Sequence, residues 1–200
     1  MAQRREDVAR RLGLTRDQAD AYYRRGLQAY ESGDLENAIL DVSEAIHYDR
    51  GYAEYYSTRG MFHIEDENTD AAELDLNYAL KLSKRQWLAH YGLGIIAYND
   101  GDYDEAVKQF TEASVIRPER PEVWYYRSIT EHNQGDDALA IADMERAEQL
   151  FPRDDKRRRD ASAWVKELKK NAAQAPKPTA PPLKTSEMPQ LKSPSEPPRP

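Results

Sequence analysis

Cysteine is absent from the 200-residue chain. That excludes disulfide staples, thiolate metal sites, a cysteine nucleophile and lipidation through a thiol. Long apolar runs are missing too: the longest, Gly92 to Tyr98, falls far short of the roughly 20 residues a bilayer demands. The opening Met1-Ala2-Gln3-Arg4-Arg5-Glu6-Asp7 turns acidic before any hydrophobic stretch, unlike a secretory leader. No Gly-x-Ser-x-Gly, Walker-type glycine loop, dinucleotide fingerprint or His-x-x-x-His pair occurs, which argues against an enzyme or a metal site. With a mean hydropathy of −0.94, these absences point to a soluble cytoplasmic protein without a cofactor.

What is abundant is acid, unevenly placed. Residues 1–18 carry five basic and three acidic side chains, net +2, whereas 19–154 carry thirteen and twenty-eight, net −15. Residues 155–175 return to +4 and 176–200 add +2. An acidic body disfavours nucleic acid and anionic membrane and favours basic partners. The last 25 residues hold nine of the twelve prolines and no aromatic residue, so nothing there repays the entropy of ordering. The composition predicts a disordered tail of polyproline character.

The body repeats itself. Gly26, Gly60, Gly94 and Ser128 stand 34 residues apart. So do Ala38, Ala72, Ala106 and Ala140, then Ala45, Ala79, Ala113 and Ala147, and the larger apolar set Val42, Leu76, Phe110 and Met144. The units run 19–52, 53–86, 87–120 and 121–154. Each reads as two amphipathic helices, in the third Leu88 to Asn99 and Asp104 to Ile116. The turns fall at Gly33-Asp34, Glu67-Asn68, Gly101-Asp102 and Gly135-Asp136, because Gly, or Asn as second best, supplies the left-handed residue that ends a helix. The small columns have a reason as well: two helices approach closely only where side chains are nearly absent.

With Gly94, Tyr98, Gly101, Asp102, Tyr103, Ala106, Phe110, Ala113 and Pro118 in the third unit, and Trp124 and Pro152 in the fourth, the chain resembles the tetratricopeptide repeat family over about two-thirds of its length. The resemblance implies an all-α, right-handed helical-hairpin solenoid of four units. Arg50 and Lys84 replace the closing proline. Gly51 is expected to stop the first unit's second helix, while the second unit's can run on towards Gln86. A solenoid needs polar end caps. Residues 155–175 supply a basic one, with Ala161, Trp164, Val165 and Leu168 as its apolar stripe. At the other end Val8 and Leu12 suggest a short helix stopped by Gly13, and Thr15 with Gln18 a capping box for the first repeat helix.

Asp66–Asp70 and Asp100–Asp104 begin like calcium loops, but Ala71 and Glu105 take the glycine position and Asn77 and Thr111 the closing glutamate. Both read better as acidic caps of the following helix. His47, His63, His90 and His132 occupy four different repeat positions.

Repeats of this family turn their first helices towards a concave groove. The fifth, ninth and twelfth residues of each unit include Tyr23, Leu27, Tyr30, Met61, Ile64, Tyr91, Ile95, Tyr98, Tyr125 and Ile129, the expected contact residues for a peptide. The competing use of these positions, above all the twelfth, is to close the helix packing. Asp20, Glu31, Glu54, Glu65 and Glu122 are expected around the groove, and Tyr23 and Leu27 stand where some family members place the Lys and Asn of a chaperone-tail clamp. The expectation is a non-enzymatic interaction adaptor for a basic or amphipathic peptide or helix, with the basic tail itself a candidate occupant. The alternative is a nucleic-acid-associated regulator using Lys156-Arg157-Arg158-Arg159 and the helix-turn-helix-like Val8–Thr15. Oligomeric state is open.

Overall fold

A computed structural model describes residues 14–171. The Val8–Leu12 helix and the proline-rich tail inferred above lie outside the described residues. Among the described residues there are nine α-helices and no strand: α1 (Leu14–Glu31), α2 (Leu35–Tyr48), α3 (Ala53–Glu65), α4 (Thr69–Leu82), α5 (Trp87–Asn99), α6 (Tyr103–Ile116), α7 (Pro121–Gln134), α8 (Asp137–Leu150) and α9 (Lys156–Asn171). They form two compact units that divide after Lys84. In the first, α1 pairs with α2, α3 with α4, and α2 also packs on α3; in the second, α5 pairs with α6, α7 with α8, α6 packs on α7 and α9 on α8.

The hairpin turns are where the glycines put them. Gly33, Gly101 and Gly135 adopt φ of 82°, 82° and 93°, and Glu67 takes the same role at 58°, a conformation that costs an L side chain about 1–2 kcal/mol. The next residue caps the following helix. Asp34, Asn68 and Asp102 accept from the backbone N–H of Asn37 (3.2 Å), Ala71 (3.3 Å) and Glu105 (3.1 Å), so the calcium-like runs are helix caps. Asp136 makes no such side-chain bond.

The small columns are the helix crossings. All eight alanines and Val42, Leu76, Phe110 and Met144 are fully buried. A Cβ at Gly26 would lie 2.9 Å from Val42, one at Gly60 2.7 Å from Leu76, and one at Gly94 2.7 Å from Phe110, so each glycine faces the large apolar residue of its own hairpin. Ser128 fits because its hydroxyl donates to the Ala140 carbonyl at 2.6 Å. On α9, Ala161, Val165 and Leu168 are buried, while half-buried Trp164 sets its ring edge-on to His132 at 5.4 Å.

Three boundaries differ from the expectation. Helix α1 begins at Leu14, so Thr15 and Gln18 lie inside it and form no capping box. Helix α2 ends at Tyr48, before Gly51: Asp49 is extended, and its side chain accepts from the Gly51 N–H at 3.0 Å. Helix α4 stops at Leu82 without running to Gln86. Ser83 turns extended while its N–H still bonds the Ala79 carbonyl, and Gln86 already caps α5.

Candidate functional site

Within each compact unit side-chain hydrogen bonds join consecutive first helices, and tyrosines make them. In the first unit Tyr55 donates to Asp20 at 2.5 Å, Tyr23 and Thr58 share a hydrogen bond at 2.9 Å, and Tyr30 donates to Glu65 at 2.7 Å. In the second, Asn133 donates to the Tyr98 hydroxyl at 3.0 Å. These bonds all join residues 35 apart, one repeat plus one, and so lace consecutive first helices together. Burial, then the carboxylate each hydroxyl meets, pushes the Tyr30 and Tyr55 phenols well above their ordinary range. They remain neutral donors.

The lacing has a consequence for the expected contact residues. Tyr23, Leu27, Met61 and Tyr91 are at most 1% exposed, and Ile64, Ile95, Tyr98 and Ile129 are also buried. A side chain so enclosed offers no surface to a partner without repacking. The competing use of these positions therefore prevails at eight of the ten. Tyr30 and Tyr125 are half-buried and keep a face outward. Of the five surrounding acids, Glu122 is buried, and loss of hydration raises its pKa. Asp20, Glu54 and Glu65 are half-buried and Glu31 is exposed. All four belong to the first unit, whose described residues 14–84 carry seven basic and fifteen acidic side chains, net −8; residues 85–171 carry fourteen and seventeen, net −3.

A charged ladder escaped the sequence reading. Arg25, Arg59 and Arg127 each clasp the aspartate sixteen residues on: Asp41, Asp75 at 2.6 Å and Asp143 at 2.5 Å. Arg59 also donates to Ser43 at 3.0 Å, and Arg127 to Thr111 at 3.3 Å and Ser114 at 3.1 Å. Each of these two arginines thus joins its own hairpin to the preceding second helix. Each of the three covers an aromatic ring, Tyr22, Tyr56 or Trp124. The third repeat, 87–120, has Leu93 and Gln109 instead, and there His90 Nδ1 donates to Gln109 at 2.7 Å. Two more columns at the 34-residue spacing were the available signal. Beside Arg127, Glu131 is 4% exposed. Loss of hydration, with the Asp143 charge adding and Arg127 opposing, lifts its pKa from 4.5 to about 7.

The basic run is partly consumed by the fold. Arg157 pairs with Asp155 at 2.7 Å and lies over the Phe151 ring, and Arg158 donates to the Phe151 carbonyl at 3.3 Å. Among the described residues no group of three His, Cys, Asp or Glu side chains is placed to hold a metal ion, and no helix is long and apolar enough to cross a membrane.

The family profile described as tetratricopeptide repeat matches residues 59–118 and 101–155. No curated protein matches by sequence. Among solved structures the chain is similar to Pseudomonas aeruginosa pilF, with a TM-score of 0.70 and 20% identity over 80% of this chain and 71% of that one. It is also similar to YrrB, described as a TPR protein with an unusual peptide-binding site (TM-score 0.56, 20% identity, 81% of this chain and 80% of that one). The Yersinia enterocolitica type III secretion translocator chaperone SycD gives a TM-score of 0.56 at 15% identity, over 60% of this chain and 86% of that one. At such identities the shared property is the fold.

Proposed function

The chain belongs to the tetratricopeptide repeat family, whose fold serves protein–protein interaction, and from that premise we propose that it is an adaptor whose first unit takes a basic, amphipathic peptide or helix. The observation that carries this reading is the acid on the first helices of a unit of net −8: Glu65 at the Tyr30 hydroxyl with Glu31 next to Tyr30 in the chain, and Asp20 at the Tyr55 hydroxyl with Glu54 next to Tyr55 in the chain. The carboxylates that accept from Tyr30 and Tyr55 are each held in place by a neutral donor. A basic partner gains from them without displacing a competing lysine, and its apolar side chains find the tyrosine ring. Tyr30, half-buried with one face outward, is the aromatic surface this reading uses.

Two synthetic helical peptides test this, one with Lys and Leu on opposite faces and one with Glu in place of Lys. The basic peptide should bind the full chain, weaken with added salt, and weaken again with Glu31→Lys. Equal binding of both peptides, or no effect of Glu31→Lys, rejects the reading. The nucleic-acid alternative gains no support from the cap, where Arg157 and Arg158 are occupied.

A further inference from the structure

Between α2, α3 and α4 the first unit holds a cleft of about 950 Å³, which uses none of the residues invoked for the basic partner. Ile46 and Tyr56 line it together with a stripe of α4. That stripe has an order. Asp70 and Glu73 stand at its N-terminal end, Leu74 and Tyr78 in the middle, and Lys81 at the other end. Leu74 is 74% exposed and Tyr78 41%, and the Tyr78 ring leans on Tyr56 at 4.5 Å. No ion pair engages Asp70, Glu73 or Lys81 among the described residues. The stripe is thus acid, apolar, base, over the eleven helical steps from Asp70 to Lys81, a length of about 17 Å.

The proline-rich tail contains the same order, which becomes complementary when the two segments run antiparallel. Pro-x-Leu-Lys occurs twice there, at Pro181–Lys184 and Pro189–Lys192, and the second copy is preceded by Glu187 and Met188. Glu187 to Lys192 reads acid, apolar, base over five steps. In the extended conformation that proline favours, five steps cover about 16 Å. Aromatic-lined clefts accept such chains because little conformational entropy is lost. The charges also agree in sum, +2 for residues 172–200 against −8 for 14–84.

We propose that the chain's own segment Glu187–Lys192 docks in this cleft antiparallel to α4, with Lys192 at Asp70 and Glu73, Met188, Pro189 and Leu191 on Leu74 and Tyr78, and Glu187 at Lys81. Fifteen residues separate Asn171 from Glu187 and reach about 50 Å when extended.

Because the chain has no cysteine, a single nitroxide label can be attached to the full-length protein at Ser193→Cys or, separately, at Ser186→Cys. The readout is the loss of amide NMR intensity. The label beside Lys192 should reduce the signals of Asp70 and Glu73 by about half or more. The label beside Glu187 should do the same to Lys81 and spare Asp70. Met188→Ser with Leu191→Ser, both outside the described residues, should restore all three signals. No loss from either label, loss at the same end from both, or loss at α1 and α3 instead of α4 overturns the proposal. So does loss seen only when the spin label and the isotope are on different molecules, which would place a second copy's tail in the cleft.

Discussion

The same substitution, glycine to alanine, should have three outcomes at three positions, because the structure gives each glycine a different reason. At Gly94 the new Cβ would lie 2.7 Å from Cδ1 and Cε1 of Phe110 and 3.0 Å from its Cζ. The Phe110 ring is fully buried, with Tyr91 at 5.9 Å and Tyr126 at 6.3 Å between centroids, so it cannot yield without displacing two more rings. Overpacking of this kind costs about 1–3 kcal/mol, and the gain in helix propensity returns up to about 1 kcal/mol. The net expectation is a loss of about 1–2 kcal/mol. At Gly101 a Cβ meets nothing within 4 Å, but φ is +82°, so alanine pays about 1–2 kcal/mol in backbone strain alone. At Gly51 the only neighbour is Asp49 Oδ1 at 3.4 Å and φ is not positive; alanine there should be neutral or stabilise by about 0.5 kcal/mol. Urea denaturation reads all three. Trp87, Trp124 and Trp164 all lie in the second unit, so their fluorescence follows Gly94→Ala and Gly101→Ala, and circular dichroism follows Gly51→Ala. With a typical slope, the first two midpoints should fall by about 0.5–1 M. A midpoint for Gly94→Ala at or above that of the wild type refutes the close helix crossing on which the fold rests.

Arg127→Leu should cost about 3–5 kcal/mol, because it strands Asp143, which is 7% exposed; adding Asp143→Gln, which copies Leu93 and Gln109 of the third repeat, should recover most of the loss in a denaturation cycle, and a double variant no better than the single one sinks the ladder's role. Glu131 makes stability depend on pH with a definite sign. Its folded pKa of about 7 lies above the ordinary 4.5, so below pH 4.5 both states are protonated and nothing is lost. As pH rises from 4.5 through 7 the unfolded chain ionises first, and stability falls. Glu131→Gln should therefore stabilise at pH 8 by up to about 3 kcal/mol and give no gain at pH 4; an equal effect at both pH values contradicts the assignment. Glu67→Gly, which relieves a φ of 58°, should raise the melting temperature through a gain of about 1 kcal/mol, and no gain would mean the turn is unstrained.

The repeat was legible because its constraint is geometric. Helices that cross closely accept only Gly, Ser or Ala, and that demand recurs in every hairpin as a fixed column. The turns were legible for the same kind of reason, since a positive φ selects glycine, and Asp34, Asn68 and Asp102 announce themselves as caps. Where no such demand exists the sequence is silent. Nothing but Ser83 leaving the helix stops α4, and Thr15 imitates a cap inside α1. The tyrosines misled for a deeper reason. An amphipathic ring with a donor at its tip suits a ligand and a neighbouring helix equally well, and only the 35-residue bonds of Tyr23, Tyr30 and Tyr55 tell the two apart. The arginine column was passed over because charge on a repeat scaffold ordinarily faces water. Arg127 does not: its side chain is 14% exposed.

The most direct test of the adaptor account is selection of partners without bias. Full-length protein would be panned against a random peptide library, in parallel with a Glu31→Lys variant, and the net charge of the enriched peptides counted. The account requires peptides rich in Lys and Arg interspersed with apolar residues, with that enrichment reduced or lost for the variant. Enrichment of acidic or uncharged peptides, or the same basic set for both proteins, would contradict it.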